Sequence, residues 1–259
     1  MRIASWNVNG IRARLHAIPD WLESARPDVA LLQEIKSTDE AFPQGPFEDL
    51  GYRVETHGQK GFNGVAILSR LPLEDVLRGL PGDAEDVQAR WIEATVTGRQ
   101  AVRVGCLYLP NGNPAPGPKY DYKLAWMARA GMRAAALLAT EEPLVLGGDW
   151  NVIPAPEDAA RPQAWVADAL FLPEARAAFR RILHMGLTDA VATLHPGPGH
   201  YTFWDYQAGA WERNDGIRID HLLLSPQAAD LMQDAGIATE LRAAERPSDH
   251  VPVWVELDA

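Results

Sequence analysis

Cysteine is almost missing from this chain. The single one, Cys106, excludes an internal disulfide and a cysteine-rich metal centre, and its place in an apolar run suits a reduced, structural thiol. Lysine is scarce as well. Only Lys36, Lys60, Lys119 and Lys123 occur, so arginine carries the basic charge; its planar fork suits phosphate, although heavy arginine and alanine use also follows from a GC-rich genome. No apolar run reaches the roughly 20 residues of a membrane span, and strand-like Ile3 to Trp6 stands where a signal peptide would be. A cytoplasmic protein with no membrane partner is expected. Internal repeats and low-complexity tracts are also absent, which excludes a solenoid.

What is present is a chain of 259 residues, 47% hydrophobic, long enough to bury a sizeable core. The Pro- and Gly-rich patches from Asn111 to Pro118 and from His195 to Gly199 are short and lie between periodic segments, as loops within a domain do. A single domain over residues 1–259 is expected. The net charge of -11 lacks the basic footprint of a duplex-binding protein, but it says nothing about one local face, and acid that lines a metal site is neutralised by the ion.

Hydrophobic periodicity predicts strands over Ile3 to Val8, Val29 to Gln33, Tyr52 to Thr56, Val65 to Leu68, Trp91 to Val96, Val102 to Leu109, Leu144 to Gly148, Ile217 to Leu224 and Val251 to Leu257. Helices are predicted over Ile11 to Ala25, with Ile11, Leu15, Ile18 and Leu22 on one face, over Tyr120 to Ala139, with Leu124, Met127, Ala128 and Leu137 facing the core, and over Glu174 to Met185. Direct and helical connections alternate, which predicts an α/β fold: a sandwich of two mixed β-sheets flanked by helices.

Polar residues gather where these strands end. Asn7, Glu34, Tyr108, Asp149, Asn151, Asp220, Asp249 and His250 all fall at or beside a strand terminus, which is how one rim of a sandwich assembles a site. Taken alone, Asp149-Trp150-Asn151 reads as a turn, and Glu34 as either the rim of a sheet or a residue held there for chemistry. Together they fit one reaction. A hard divalent cation takes oxygen ligands, which Glu34 could supply with Asn7 or Asp249 nearby; the lack of paired histidines at metal spacing speaks against Zn²⁺. Phosphodiester hydrolysis needs an oriented water, a base and positive charge on the phosphate oxygens. Asp149 suits the base, Asn151 the orienter of the water, and His250, as an imidazolium held by Asp220, the phosphate contact beside the Tyr108 hydroxyl.

Seven segments carry a wider resemblance: Ser5-Trp6-Asn7-Val8-Asn9-Gly10-Ile11-Arg12, Leu32-Gln33-Glu34-Ile35-Lys36, Gly61-Phe62-Asn63-Gly64-Val65-Ala66-Ile67-Leu68-Ser69, Tyr108-Leu109-Pro110-Asn111, Gly148-Asp149-Trp150-Asn151, Arg218-Ile219-Asp220 and Ser248-Asp249-His250. In this order, over nearly the whole chain, they resemble the exonuclease III and abasic-site endonuclease family of the endonuclease/exonuclease/phosphatase superfamily. The resemblance implies a four-layered α/β sandwich and a Mg²⁺- or Mn²⁺-dependent phosphodiesterase. Its substrate would be duplex DNA with abasic sites or 3′ ends, and the enzyme a monomer. It implies metal ligation by Glu34 with Asn7 and Asp249, and catalysis by Tyr108, Asp149, Asn151, Asp220 and His250. It also implies a small apolar pocket for a flipped-out abasic sugar, walled by Phe203, Ile217 and Ile219 and backed by Trp204, with Asn111 beside the substrate. Such a pocket makes physical sense, because a residue without a base costs little to unstack.

Two departures stand out. Trp150 is bulkier than the residue expected between Asp149 and Asn151, and is expected to point into the fold. The stretch Gly112 to Pro118 has none of the arginine that relatives often place against DNA. Arg12, Arg14, Lys60 and Arg90 remain candidates for phosphate contacts. Two other readings compete: the same fold and metal chemistry acting on RNA 3′ ends or a small phosphoester, and a non-catalytic nucleic-acid-binding module, against which the complete set of polar residues speaks.

Overall fold

A computed structural model describes residues 1–259. In chain order the strands are β1 (Arg2–Asn7), β2 (Val29–Gln33), β3 (Arg53–His57), β4 (Val65–Ser69), β5 (Leu73–Arg78), β6 (Trp91–Thr97), β7 (Ala101–Tyr108), β8 (Leu144–Asp149), β9 (Thr188–Asp189), β10 (Asp220–Leu224), β11 (Met232–Ile237) and β12 (Val253–Leu257). The helices are α1 (Ile18–Ala25), α2 (Gly45–Glu48), α3 (Pro118–Leu138), α4 (Pro173–Leu183), α5 (Ala190–Leu194) and α6 (Pro226–Asp230).

The strands form two six-stranded sheets, ordered β11-β12-β1-β2-β4-β3 and β5-β6-β7-β8-β10-β9. Side-chain alternation explains how they stack. Ile3, Val29 and Leu31 of the first sheet face Val104, Cys106, Val145 and Leu222 of the second across a shared core. On the outer face of the first sheet, Ala4, Trp6, Ala30 and Leu32 are covered by Ile18, Trp21 and Leu22 of α1. Trp91, Leu107, Leu146 and Leu223 on the outer face of the second sheet are covered by α3 and α4 through Trp126, Met127, Phe179 and Ile182. The order helix, sheet, sheet, helix is the expected four-layered sandwich of mixed sheets.

Several expected boundaries are corrected. The first helix starts at Ile18, with Pro19 in its first turn, and residues Arg12 to Arg14 form a short 3₁₀ turn instead. Ile11 is still fully buried, so it keeps its core role without a helix. In α3 the inward stripe includes Lys123, Trp126, Met127, Ala130, Ala134 and Leu137, while Ala128 is exposed. The strand expected from Ile217 begins only at Asp220, because Ile217 pairs by isolated bridges with Ala159 and Phe203. Three strands carry no clear sequence signal: β5, β9 and β11 lie at or next to sheet edges, where one face is wet and apolar alternation is weak.

Strand direction then decides where polar ends fall. β1 and β2 run parallel, as do β7 and β8, so Asn7, Gln33, Tyr108 and Asp149 finish at one rim. β10 and β12 run antiparallel to β8 and β1, which brings their beginnings to the same rim, with Asp220 opposite Asp149.

Candidate active site

Each sheet sends three strand ends to this rim: Asn7, Glu34 and the Asp249-His250 pair from the first, and Tyr108, Asp149 and Asp220 from the second. Tight reversals follow the strands. Asn9, Glu34, Lys36 and Asn151 all adopt left-handed backbone conformations, with φ of 45°, 51°, 51° and 45°. Non-glycine residues in this region store strain that the surrounding structure must over-determine, and such residues cluster at functional sites.

Asn7 joins the two sheets. Its Nδ2 donates to Glu34 Oε1 and to Asp149 Oδ2, at 2.9 Å each. Its Oδ1 accepts the Asn9 backbone N–H at 3.0 Å. Asn7 thus orients the two carboxylates, and its Oδ1, with one of two lone pairs used, can still face a cation.

Asp149 is 1% exposed. Burial pushes its pKa up to about 7, with the His250 charge acting against this shift and Asp220 and Glu34 adding to it. The carboxylate thus sits near neutrality, where a general base is most effective. Its Oδ1 accepts the Asn151 backbone N–H at 2.9 Å.

His250 lies between two carboxylates. Nδ1 donates to Asp220 Oδ2 at 2.8 Å, and Nε2 is 3.7 Å from Asp149 Oδ2. Burial opposes the charged ring, but Asp220 and Asp149 outweigh it and push the imidazole up to about 10. Asp149, Asp220 and His250 come close enough together to resemble a metal cage. With its Nδ1 bonded to Asp220 and its Nε2 facing Asp149, the protonated ring makes this trio a proton-holding network as long as no cation takes the place of the proton.

Cation-holding capacity lies to the side. Glu34 is half-buried; burial raises its carboxyl, but the Asn7 amide and Lys36 more than compensate, and it stays below the ordinary carboxylate range. Lys36 Nζ pairs with Glu34 Oε2 at 2.9 Å and donates to Asn9 Oδ1. Asp249 lines the same cleft, its Oδ1 accepting from Asn9 Nδ2 at 3.0 Å. An ionised glutamate and a second carboxylate beside open space form an all-oxygen donor set, which fits a hard divalent cation and not Zn²⁺.

The remaining residues divide into those that face the cleft and those that do not. Tyr108 lines it, and burial, with Glu34 and Asp149 adding, holds its hydroxyl far above the usual range as a neutral donor. Asn151 Nδ2 donates to Leu109 O at 2.8 Å, and its Oδ1 accepts from Asn111 Nδ2 at 3.2 Å. Phe203 lies edge-on to His250, ring centroids 4.9 Å apart, and with Ile219 lines a cavity of about 280 Å³. Ile217 packs behind Phe203 in a small apolar cluster. Trp204 does not back this wall. It alternates away from Phe203 into a separate cluster with Tyr201, Ala210 and Val251. Trp150 points inward as expected, edge-on to Phe179.

Nor does Arg90 reach into the cleft. Its guanidinium lies 4.8 Å over the Tyr108 ring, and NH1 donates to Tyr108 O at 3.2 Å, so it supports Tyr108 from behind. Arg12 binds Ala41 O, Arg14 binds Tyr206 and Pro247, and Lys60 is exposed on the 58–64 loop. Sequence reasoning missed Asn113, Trp165, Asp168, Leu170 and Asp205, which also line the cleft. They come from irregular loops and, for Trp165, a short 3₁₀ turn, where no periodicity marks a side chain as inward.

Known proteins share this fold. Residues 4–250 match the Endonuclease/Exonuclease/phosphatase family. Exodeoxyribonuclease III of Haemophilus influenzae is 37% identical, over 99% of this chain and 99% of its own. Among solved structures, an AP endonuclease from Archaeoglobus fulgidus superposes with a TM-score of 0.95 at 37% identity, covering 100% of both chains. The 3′ phosphatase NExo from Neisseria, solved with its product DNA hairpin, gives 0.95 at 39% identity, again over 100% of both. The chain therefore belongs to the endonuclease/exonuclease/phosphatase family.

Proposed function

We propose that this chain is a DNA-repair phosphodiesterase that incises duplex DNA 5′ to abasic sites and removes nucleotides from 3′ ends, using Mg²⁺ or Mn²⁺. One observation carries the reading. Asn7 ties Glu34 to Asp149, while His250 stands 3.7 Å from the same Asp149, so a cation-holding carboxylate, a base and an imidazolium converge on one cleft.

Glu34, with Asn7 and Asp249, would hold the divalent ion, which supplies positive charge to the phosphate when bound. Asp149 takes the proton of the attacking water. Asn151 Oδ1, fixed by Asn111, accepts a hydrogen bond from that water and aims it. The His250 imidazolium and the neutral Tyr108 hydroxyl donate to the non-bridging oxygens, where charge builds up as the water adds. The apolar walls from Phe203 and Ile219 suit an extruded sugar without a base, and exclude larger nucleotides by size. As further parts of the same proposal the enzyme is a monomer, and its one buried cysteine suits the reducing cytoplasm.

The test is direct. Purified protein with Mg²⁺ is expected to incise a labelled duplex at a single abasic site and to resect a recessed 3′ end; a duplex left intact with Mg²⁺ and with Mn²⁺ overturns the abasic-site claim. A second reading, 3′-end cleaning by phosphate removal, is favoured by the Neisseria relative described as a 3′ phosphatase. A higher kcat/KM on a 3′-phosphorylated nick than on the abasic duplex would decide for it.

A further inference from the structure

Lys123 sits in α3 and is fully buried. No carboxylate pairs with it. Its Nζ donates instead to three backbone carbonyls: Asn111 O at 3.0 Å, Asn151 O at 2.6 Å and Ala169 O at 3.1 Å. An ammonium has three N–H donors, so every one is spent on main chain. The carbonyls belong to three loops distant in sequence, and each loop supplies cleft side chains: Asn111 and Asn113, Asn151, and Asp168 with Leu170.

Burying an ammonium without a counter-charge is costly. The cost is visible here. Burial brings the Lys123 pKa down to about 7, against the pull of Asp149 and Asp168. An apolar residue in this stripe of α3 would avoid that cost, but it would leave three carbonyls without donors. The loops are also built around the lysine stem: a Cβ at Gly112, whose φ is +91°, would lie 2.7 Å from Lys123 Cδ. Side chains add cross-links, from Asn111 Nδ2 to Asn151 Oδ1 at 3.2 Å and from Asn113 Nδ2 to Asp168 Oδ1 at 3.0 Å. These are side-chain bonds between loops, and they hold their aim only while the loop backbones keep one mutual arrangement.

We propose that Lys123 is a positioning residue for the hydrolytic step: its three donors lock the Asn111, Asn151 and Ala169 loops together, so that the Asn151 side chain keeps its aim at the attacking water. The assignment rests on the nuclease reading above. It deepens that reading by placing a control point outside the cleft, on the helix behind it.

The experiment is a double-mutant cycle on the full chain with Lys123→Met and Asn151→Ala, assayed on the DNA substrate that the wild type cleaves. Lys123→Met is expected to lower kcat by up to about 100-fold, the loss that a 1 Å misplacement can cause, with KM changed less than about threefold. In the Asn151→Ala background the same substitution is expected to cost less than about threefold, because coupled residues are non-additive. Losses that multiply independently, or that fall on KM, overturn the proposal. Hydrogen–deuterium exchange gives a readout free of activity. Backbone exchange in residues 109–113, 149–153 and 167–171 is expected to rise together in Lys123→Met; a rise confined to α3 also overturns the proposal. Should the Met variant fail to fold, Lys123→Gln, which keeps donors for part of the set, is judged by the same criteria. A wild-type protein inactive on every DNA substrate sinks the nuclease reading, while the exchange result still decides the clamp.

Discussion

Burial raises the Asp149 carboxyl to about 7 although the His250 imidazolium beside it pulls the other way, so each of these groups sets the other's protonation. The signs give a pH profile. Below its raised pKa Asp149 is protonated and cannot accept a proton from water, so kcat/KM is expected to rise with pH through neutrality. His250, pushed up to about 10, keeps its charge until the solution becomes alkaline, and activity falls beyond that point. Asp220→Asn removes a carboxylate that holds this charge and should shift the alkaline limb to lower pH; an unmoved limb in a pH-rate series would disprove the pairing. Asp149→Asn keeps the shape and removes the base, with an expected loss of about 10²- to 10⁴-fold in single-turnover incision. At this scale the sequence was informative, since each of these residues stood at a strand end. Asn7 was legible as a site residue, but not as the amide that binds both carboxylates, because only the second sheet brings Asp149 within 2.9 Å of it. Arg90 was legible as a candidate phosphate contact, but not as a partner of Tyr108, for a similar reason. Only the folded chain places the Tyr108 ring 4.8 Å beneath its guanidinium.

β8 ends in Gly147-Gly148-Asp149, and its two glycines hold the rim end of the strand close to its neighbours. A Cβ on Gly148 would lie 1.9 Å from Leu107 O, and one on Gly147 would lie 2.7 Å from both Leu222 Cδ2 and Leu31 Cδ1. Gly148→Ala is therefore expected to cost about 3 kcal/mol or more, at or above the upper end of overpacking penalties, in urea unfolding. Gly45, where an added Cβ would meet nothing within 4 Å, is the control: Gly45→Ala should change stability by less than about 0.5 kcal/mol. Equal effects at both positions would refute the close-approach argument. Element by element, the central strands were readable because they are buried on both faces and form continuous apolar runs. β5, with Glu74 and Asp75 exposed, and β11, with Gln233 and Asp234 exposed, were not readable, since half of an edge strand answers to water.

Across the molecule, the site exists only where the two sheets meet. Leu31 lies between them, fully buried against the core that sets their spacing. Leu31→Ala is expected to destabilise the fold by about 2–5 kcal/mol in denaturant unfolding. It should also lower kcat in the fraction that remains folded, because the Asn7–Asp149 bond crosses the loosened layer. Stability lost with kcat unchanged would show that the rim is held independently of the core.

By itself, the sequence determined the class of fold, the main strands, the ends at which polar residues stop them, and the chemistry those residues could perform, because periodicity and strand termination are local properties of the chain. Tertiary structure alone decided which ends share a rim, which nitrogen faces which carboxylate, that Trp204 turns away from the cleft, and that Lys123 is buried against three loops. The physical reason is that strand direction, sheet spacing and loop path join residues more than a hundred positions apart, and no local pattern encodes those distances.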